Sequence, residues 1–459
     1  MSESIKLTVT KSYRCEVLVI GGGVAGISAA VCAAREGADT MLCEQGGCLG
    51  GTATAGLVGP FMSAYDPTGD HQVIKGFMEE LIRRMAAKGG AIPPEDCPGG
   101  DGHSAYRING HIGVTPFDPE ALKFTAEECC EEAGVRLLYH MFFVSCEKDE
   151  NGRITAAYFA TKNGIHEVRP DVVVDCTGDA DVAVSAGAPF VYGDENGNTQ
   201  VASVFFMVDH VDKEKLEKHI ERYPEKTDLR RRYFEDVVEE EQKKGTFPCG
   251  RSRVSAFESV NDIWRVNMTQ YDKKADLTDP EYVTDAEITC RKQIAPLMEF
   301  FRKHVPGFEK ARVLRSADVL GIRESRRILG EKVLTIDDMA AGARFEDAIC
   351  TVGSAVDFHG SQKKDGSYDG KYYVTGSHSV QIPYRALLPK NVSNLIVAGR
   401  CLSADQLAHS AVRVMPPCFA MGQAAGVAAA MAAENDGSVK NIDLADFHQR
   451  LVNGGVYFE

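Results

Sequence analysis

Gly21, Gly22, Gly23, Ala25 and Gly26 follow the apolar run Val17-Leu18-Val19-Ile20 in the spacing G-x-G-x-x-G, and Glu44 closes a second apolar run, Thr40-Met41-Leu42-Cys43. In that order the residues can bind the pyrophosphate and ribose of a dinucleotide. Gly21 permits a tight turn out of a strand, Gly23 lets the backbone approach a pyrophosphate, and Gly26 lets the next helix lie close on the sheet. The phosphates would sit at the positive end of that helix. A carboxylate at Glu44 can accept hydrogen bonds from ribose hydroxyls, which favours an unphosphorylated ribose.

Other side chains suit acid–base or anion chemistry. His409 and Arg413 stand four apart, so on a helix they share a face. There His409 can shuttle a proton near neutral pH and Arg413 can hold a substrate carboxylate or the negative charge of a reduced cofactor, or else His409 anchors a loop and Arg413 pairs with Glu324 or Asp405. Arg323, Glu324, Arg326 and Arg327 form a dense charge cluster, read either as an arginine grip on a carboxylate or as salt bridges joining two domains. Tyr384 and Arg385 follow Pro383 and are placed on the same cavity. His103, Tyr106 and His111 lie in a loop and read as cap residues or as solvated side chains.

The elements needed to position these groups are legible in the pattern. A β-branched strand from Cys15 leads into the glycines, and the Ala-rich stretch Ile27 to Arg35 predicts a helix that stops at Gly37. Short apolar runs recur at Val172-Val173-Val174-Asp175, before Thr177-Gly178, and at Leu395-Ile396-Val397-Ala398, before Gly399-Arg400. Strands of this kind fit a parallel sheet covered on both faces. The expected fold is therefore α/β, with a Rossmann-like nucleotide domain from residues 1–60, 118–190 and 391–459. An inserted α+β substrate domain is expected over 191–390, and the Gly- and Pro-rich stretch 61–117 is expected to form a cap or active-site loop.

Composition narrows the partners. The chain has 459 residues, 44% hydrophobic and 25% charged, with a net charge of −15, which fits an ordinary globular protein and argues against nucleic acid or an anionic membrane surface. Its 14 cysteines sit mostly in apolar runs with no C-x-x-C pair, so reduced, buried thiols are expected, Cys48 among them. The N-terminal residues lack the apolar core of a signal peptide and no apolar run is long enough to span a bilayer, so a cytoplasmic location is expected.

Three features favour FAD over NAD. Gly46 to Thr54 is a small-residue loop whose amides can continue along an extended cofactor, and Thr177-Gly178-Asp179 supplies a second glycine turn at a strand end. The long Ala/Gly-rich helix after Met415-Pro416-Pro417 points a positive dipole at an anionic group such as a reduced flavin. His409 and Arg413 would then flank the isoalloxazine ring.

The strings Gly321-Ile322-Arg323-Glu324-Ser325-Arg326-Arg327-Ile328-Leu329-Gly330, Ile382 to Pro389, and Ala398 through Met415-Pro416 to Gly426 together resemble the FAD-dependent oxidoreductase family. Its flavin fold is similar to that of glutathione reductase, and its relatives include the flavin subunit of heterodisulfide reductases. The resemblance runs from Arg14 to about Ala433 and leaves the substrate open. It implies that Gly21, Gly22, Gly23, Ala25 and Gly26 meet the pyrophosphate and that Glu44 and Gln45 meet the adenosine ribose. It further implies Gly50, Gly51 and Thr52 beside the ribityl chain, Thr177 and Gly178 behind the adenosine half, and a backbone contact from Phe143 or Val144 to adenine. Gly399 and Arg400 would meet pyrophosphate or ribityl oxygens, and Met415 the reactive end. Arg400 stands where related flavoproteins often carry an acid.

No second strand-G-x-G-x-x-G-helix unit occurs over 191–390, so electrons are expected to pass through the substrate pocket, a redox partner protein or oxygen. The expected activity is hydride transfer between flavin N5 and a small organic substrate, a carboxylate or a polyol-like compound. The alternatives are an electron-transfer subunit relaying to a protein partner and a non-redox enzyme using FAD structurally. A homo-oligomer is left open.

Overall fold

From Val17 to Ile20 the strand Val9–Ile20 is buried on both faces, as a central parallel strand must be. Thr40–Cys43 and Gly164–Asp175 flank it in parallel, Arg136–Leu138 extends the sheet beyond Thr40–Cys43, and Leu395–Val397 pairs with the end of Gly164–Asp175. The computed structural model describes residues 8–67, 69–97, 113–224, 228–353, 356–359 and 379–458. The first part of Gly164–Asp175 pairs antiparallel with Ile154–Thr161, which pairs with Phe142–Lys148. The seven-stranded sheet thus carries the expected parallel strands and is antiparallel at its Ile154–Thr161 and Phe142–Lys148 edge. The short turns at Asp149–Arg153 and Lys162–Asn163 leave no room for the helical crossover that parallel strands require.

One face of the sheet is covered by the helices Val24–Arg35 and Met415–Ala433, which pack on each other. A Cβ at Gly422 or Gly426 would come within 2.2 Å of the Ala25 or Ala29 carbonyl oxygen, so backbone lies on backbone and only glycine fits there. This close approach explains the Ala/Gly composition of both helices. The helix Phe77–Ala87 buries Phe77, Met78, Leu81, Ile82 and Met85 in the same core. Within 61–117, expected as a cap or active-site loop, this helix is core scaffold held by apolar residues at helical spacing, whereas Met62 and Pro67 line the nucleotide cleft. His103, Tyr106 and His111 lie outside the described residues.

The inserted module is α+β, as expected. Its antiparallel sheet runs in the order Arg312–Ser316, Phe206–Asp209, Trp264–Val266, Ala256–Glu258. The helix Pro280–His304 lies over it. That helix starts at the Asp279 side chain, which accepts from the Glu281 N–H, and ends on Arg302, Lys303 and His304, complementing its dipole. The module's core is aromatic, with Phe206, Trp264, Phe301 and Phe308 buried together. Its C-terminal limit falls earlier than 390. The antiparallel pair Ala348–Val352 and Val380–Pro383 is buried in the core of the nucleotide body instead. Arg326–Ile328, paired with Phe190–Tyr192, forms the return crossing.

Among the described residues no single helix is long and apolar enough to cross a membrane, and no cluster of His, Cys, Asp and Glu is arranged to hold a metal.

Candidate functional site

A cleft of about 2070 Å³ runs from Glu44, Gln45 and Phe143, past Gly21 and Gly23, to Arg323 and Arg413. At the first end the Glu44 carboxylate is fixed by two backbone donors, Gly22 N–H at 2.5 Å and Gly46 N–H at 2.6 Å. It therefore stays at the end of Thr40–Cys43, facing the cleft, with further lone pairs for hydroxyl donors. Phe143 lines this end, whereas Val144 is 48% exposed on the edge strand and does not. Of the two expected adenine contacts, Phe143 is the one on the cleft.

The glycines divide by what requires them. A Cβ at Gly26 would sit 1.8 Å from the Gly21 carbonyl oxygen, so Gly26 is demanded by the fold. Gly23 is different. It has φ −68°, ordinary for any residue, and a Cβ added there would meet no protein atom within 4 Å. It would stand in the cleft at the start of the helix Val24–Arg35, whose first turn carries no acidic side chain and whose N-terminus has no side-chain cap. Such a cradle of unsatisfied N–H groups fits a pyrophosphate, and the residues present fit FAD. Gly50 donates its N–H to the Gly22 carbonyl at 2.8 Å, which holds Gly51 and Thr52 along the cleft wall; Ala25 lines it as well.

Thr177 and Gly178 also line the cleft, set by the buried Asp175 carboxylate. It accepts from Thr177 N–H, Val182 N–H and Ala183 N–H, each at 3.0 Å, and from Thr177 Oγ1 at 2.7 Å. Gly399, at φ +95°, brings the opposite turn to the cleft. Arg400 beside it is drawn to Asp179 at 2.8 Å and Ser325 Oγ at 2.9 Å. Its guanidinium thus ties the Asp179 turn to the Ser325 segment. Met415 opens its helix at the cleft. Pro416 and Pro417 carry no N–H, so the first turn offers anions mainly the Met415 N–H and the helix dipole.

The acid–base candidates separate. His409 is fully buried and off the cleft, with Nε2 2.7 Å from the Arg400 carbonyl oxygen. Burial, then Arg327 and Arg413, push its pKa well below the usual imidazole range. Its expected place at the reacting centre is corrected: the short imidazole stops at the backbone, whereas the longer Arg413 reaches the cleft. Tyr384 also turns away, donating to the Val439 carbonyl oxygen at 2.8 Å against Phe447. Arg385 pairs with Asp347 at 2.9 Å, with half its side chain in solvent. Neither lines the cleft, because the short 3-10 turn Tyr384–Leu387 points one into the core and the other outward. Cys43 and Cys48 stand at a C-x4-C spacing, yet both are free thiols and Cys43 is buried in its strand.

Arg323 and Arg413 remain, and the structure adds residues that sequence reasoning missed. Arg323 donates to the Val201 carbonyl oxygen at 2.7 Å, Ser203 Oγ at 2.9 Å and Asn267 Oδ1 at 3.3 Å. Arg251 donates to the same Asn267 oxygen at 2.8 Å. Arg413 donates to Gln200 Oε1 at 3.1 Å and to the Asp357 carbonyl oxygen at 2.8 Å, with Asp357 Oδ2 at 3.4 Å. Asp357 Oδ1 lies 3.0 Å from His359 Nε2. Burial, then the Arg251 and Arg413 charges, pull the Arg323 pKa down to about 9. Glu324 is matched by Arg327 at 3.5 Å and by Gln406 at 2.9 Å, and its charge also acts on Arg413. The pair Asp357-x-His359 was the one local signal available for the missed residues.

Among curated proteins none matches this chain. A geranylgeranyl bacteriochlorophyll reductase-like protein from Thermoplasma acidophilum is similar in structure at 13% identity, over 97% of this chain and 87% of that one, with a TM-score of 0.45. The p-nitrophenol 4-monooxygenase of Pseudomonas putida is similar at 13% identity, over 96% and 84%, with a TM-score of 0.44. The anhydrotetracycline hydroxylase of Streptomyces rimosus is similar at 13% identity, over 90% and 62%, with a TM-score of 0.42. These values are too low to carry the reactions of those proteins to this chain. Residues 16–451 match the family model described as FAD dependent oxidoreductase, so the chain belongs to that family and FAD is its cofactor.

Proposed function

We propose that this oxidoreductase moves a hydride between flavin N5 and a small organic anion held by its carboxylate at the Arg323–Arg413 end of the cleft. Bound FAD supplies a two-electron donor and acceptor, so the chain's own task is to bind, orient and neutralise the substrate. The observation that carries the reading is a charge imbalance. Among the described residues, Arg323 and Arg413 reach the cleft with Arg251 beside them, the carboxylates acting on Arg323 and Arg413 are Asp357 and the Arg327-paired Glu324, and Arg251 and Arg323 share one amide oxygen. Burying like charges together is costly unless an anion completes the set. A carboxylate suits the vacancy, since guanidinium forks bind it in two parallel hydrogen bonds. A neutral polyol would leave the imbalance standing.

Anaerobic bleaching of the yellow holoprotein tests this. Small 2-hydroxy and other carboxylates should bleach the flavin while the matching amides do not, and Arg323→Met should raise the half-saturating concentration about tenfold or more, the worth of one lost charged hydrogen bond. Equal bleaching by acids and amides, or an unchanged response in Arg323→Met, refutes the reading.

A further inference from the structure

Among the described residues His359 is the one imidazole that lines the cleft, and it stands at the arginine end. Its Nε2 faces Asp357 Oδ1 at 3.0 Å, while the other oxygen of Asp357 faces Arg413 at 3.4 Å. Asp357 thereby bridges the imidazole to a guanidinium. The segment is clamped from both sides: the Val201 N–H donates to the His359 carbonyl at 2.8 Å, and the His359 N–H donates to Gln200 Oε1 at 3.2 Å. Gln200 Oε1 also accepts from Arg413, so imidazole, carboxylate and guanidinium form one connected unit. With Nε2–H on Asp357, the lone pair is on Nδ1, and among the described residues no group hydrogen-bonds it.

We propose that Asp357 and His359 form the proton-accepting dyad of this cleft, made competent by the carboxylate that binds the adjoining arginines. The inference rests on the small-carboxylate reading above. Charged groups face the ring from each side: Asp357 from its own segment, Arg251 from the loop before Ala256–Glu258, Arg323 from the segment before Arg326–Ile328, and Arg413, through Asp357, from the end of Gln406–Val412. Without an anion, burial and the arginines outweigh Asp357 and pull the imidazole down to about 3. A carboxylate on the guanidiniums reverses their effect, and an anion within a few ångströms raises such a group by about 1 to 3. In oxidation of a hydroxy acid, His359 Nδ1 would accept the O–H proton and the O–H electron pair would become the second bond of the new C=O, bound FAD supplying the two-electron acceptor for the hydride. His359 is then a catalytic residue and Asp357 a positioning residue.

Formate, the smallest carboxylate, is the probe. Calorimetric titration of oxidised, FAD-loaded protein at about pH 4.5, between the imidazole's unbound and anion-bound ranges, in buffers of different ionisation enthalpy, measures protons taken up on binding. The wild type should bind formate with uptake of a substantial fraction of a proton. His359→Gln should bind formate within about threefold of wild type with no uptake, since the ring is not the anion's principal partner. Asp357→Asn, keeping shape but not charge, should shift the uptake to lower pH while Arg323→Met weakens formate itself. Binding without uptake in the wild type, or the same uptake in His359→Gln, overturns the dyad and leaves the carboxylate reading intact. No binding by the wild type overturns both.

Discussion

Gly23→Ala separates what the fold needs from what the cofactor needs. At φ −68° and ψ −178° alanine is unstrained, and its methyl carbon meets no protein atom within 4 Å. Lower unfolded-chain entropy favours alanine by about 0.4–1 kcal/mol. Glycine is the better N-cap by about half a kcal/mol, so the two terms cancel to within about 0.5 kcal/mol. Apoprotein stability in urea should be unchanged. The methyl would instead occupy space at the helix N-terminus where the pyrophosphate approaches, and overpacking of that kind costs about 1–3 kcal/mol, or about 5- to 150-fold in FAD affinity. Quenching of flavin fluorescence measures that loss. Gly26→Ala is the contrasting control: a Cβ 1.8 Å from a carbonyl oxygen should unfold the apoprotein itself. Wild-type FAD affinity in Gly23→Ala, or an apoprotein destabilised as severely as Gly26→Ala, would refute the assignment of Gly23 to the cofactor.

Because the His409 pKa is depressed in the fold, the unfolded chain takes up the proton first as pH falls below about 6.5, and stability is lost on the acid side by about 1.4 kcal/mol per pH step for this one group. Urea midpoints against pH should show a shallower acid slope in His409→Asn, which at neutral pH should keep its flavin; a parallel slope would show that the ring is not held neutral. Arg385→Ala should leave turnover and flavin content unchanged and cost no more than about 1 kcal/mol, since its partner Asp347 is buried but the arginine is half in solvent. A large fall in substrate affinity in Arg385→Ala would restore it to the site.

The nucleotide end was legible because each of its contacts is a property of a short string. Gly21, Gly23, Gly26 and Glu44 need only a strand, a turn, a helix and a second strand in order, and local patterning supplies those. Val144 was not separable from Phe143, because Phe142–Lys148 is a sheet edge whose alternate faces are both partly exposed, so burial does not fix its register. Tyr384 and Arg385 are adjacent in sequence, but a single 3-10 turn sends them in opposite directions. His409 and Arg413 do share a helical face, yet side-chain length decides which reaches the cleft. The antiparallel strands at residues 142–161 escaped because apolar runs identify strands without giving their direction.

The arginine end could not be read locally for a different reason. Arg251 comes from a loop of the inserted module, Arg323 from the return crossing and Arg413 from the turn between two helices of the nucleotide body, so only tertiary packing brings them together. Nor does that packing need their charge. Val201, Ser203, Asn267 and Gln200 satisfy individual N–H groups, but neutral hydrogen bonds do not cancel the repulsion between guanidiniums, and among the described residues the carboxylates acting on Arg323 and Arg413 are Asp357 and Glu324, the latter shared with Arg327. An apolar side chain in place of Arg323 would remove that repulsion along with the cost of burying a charge. The arrangement therefore makes physical sense as a site whose missing negative charge arrives with the substrate. On the proposed reading the same charge sets the state of His359, so binding and proton transfer would draw on one electrostatic field.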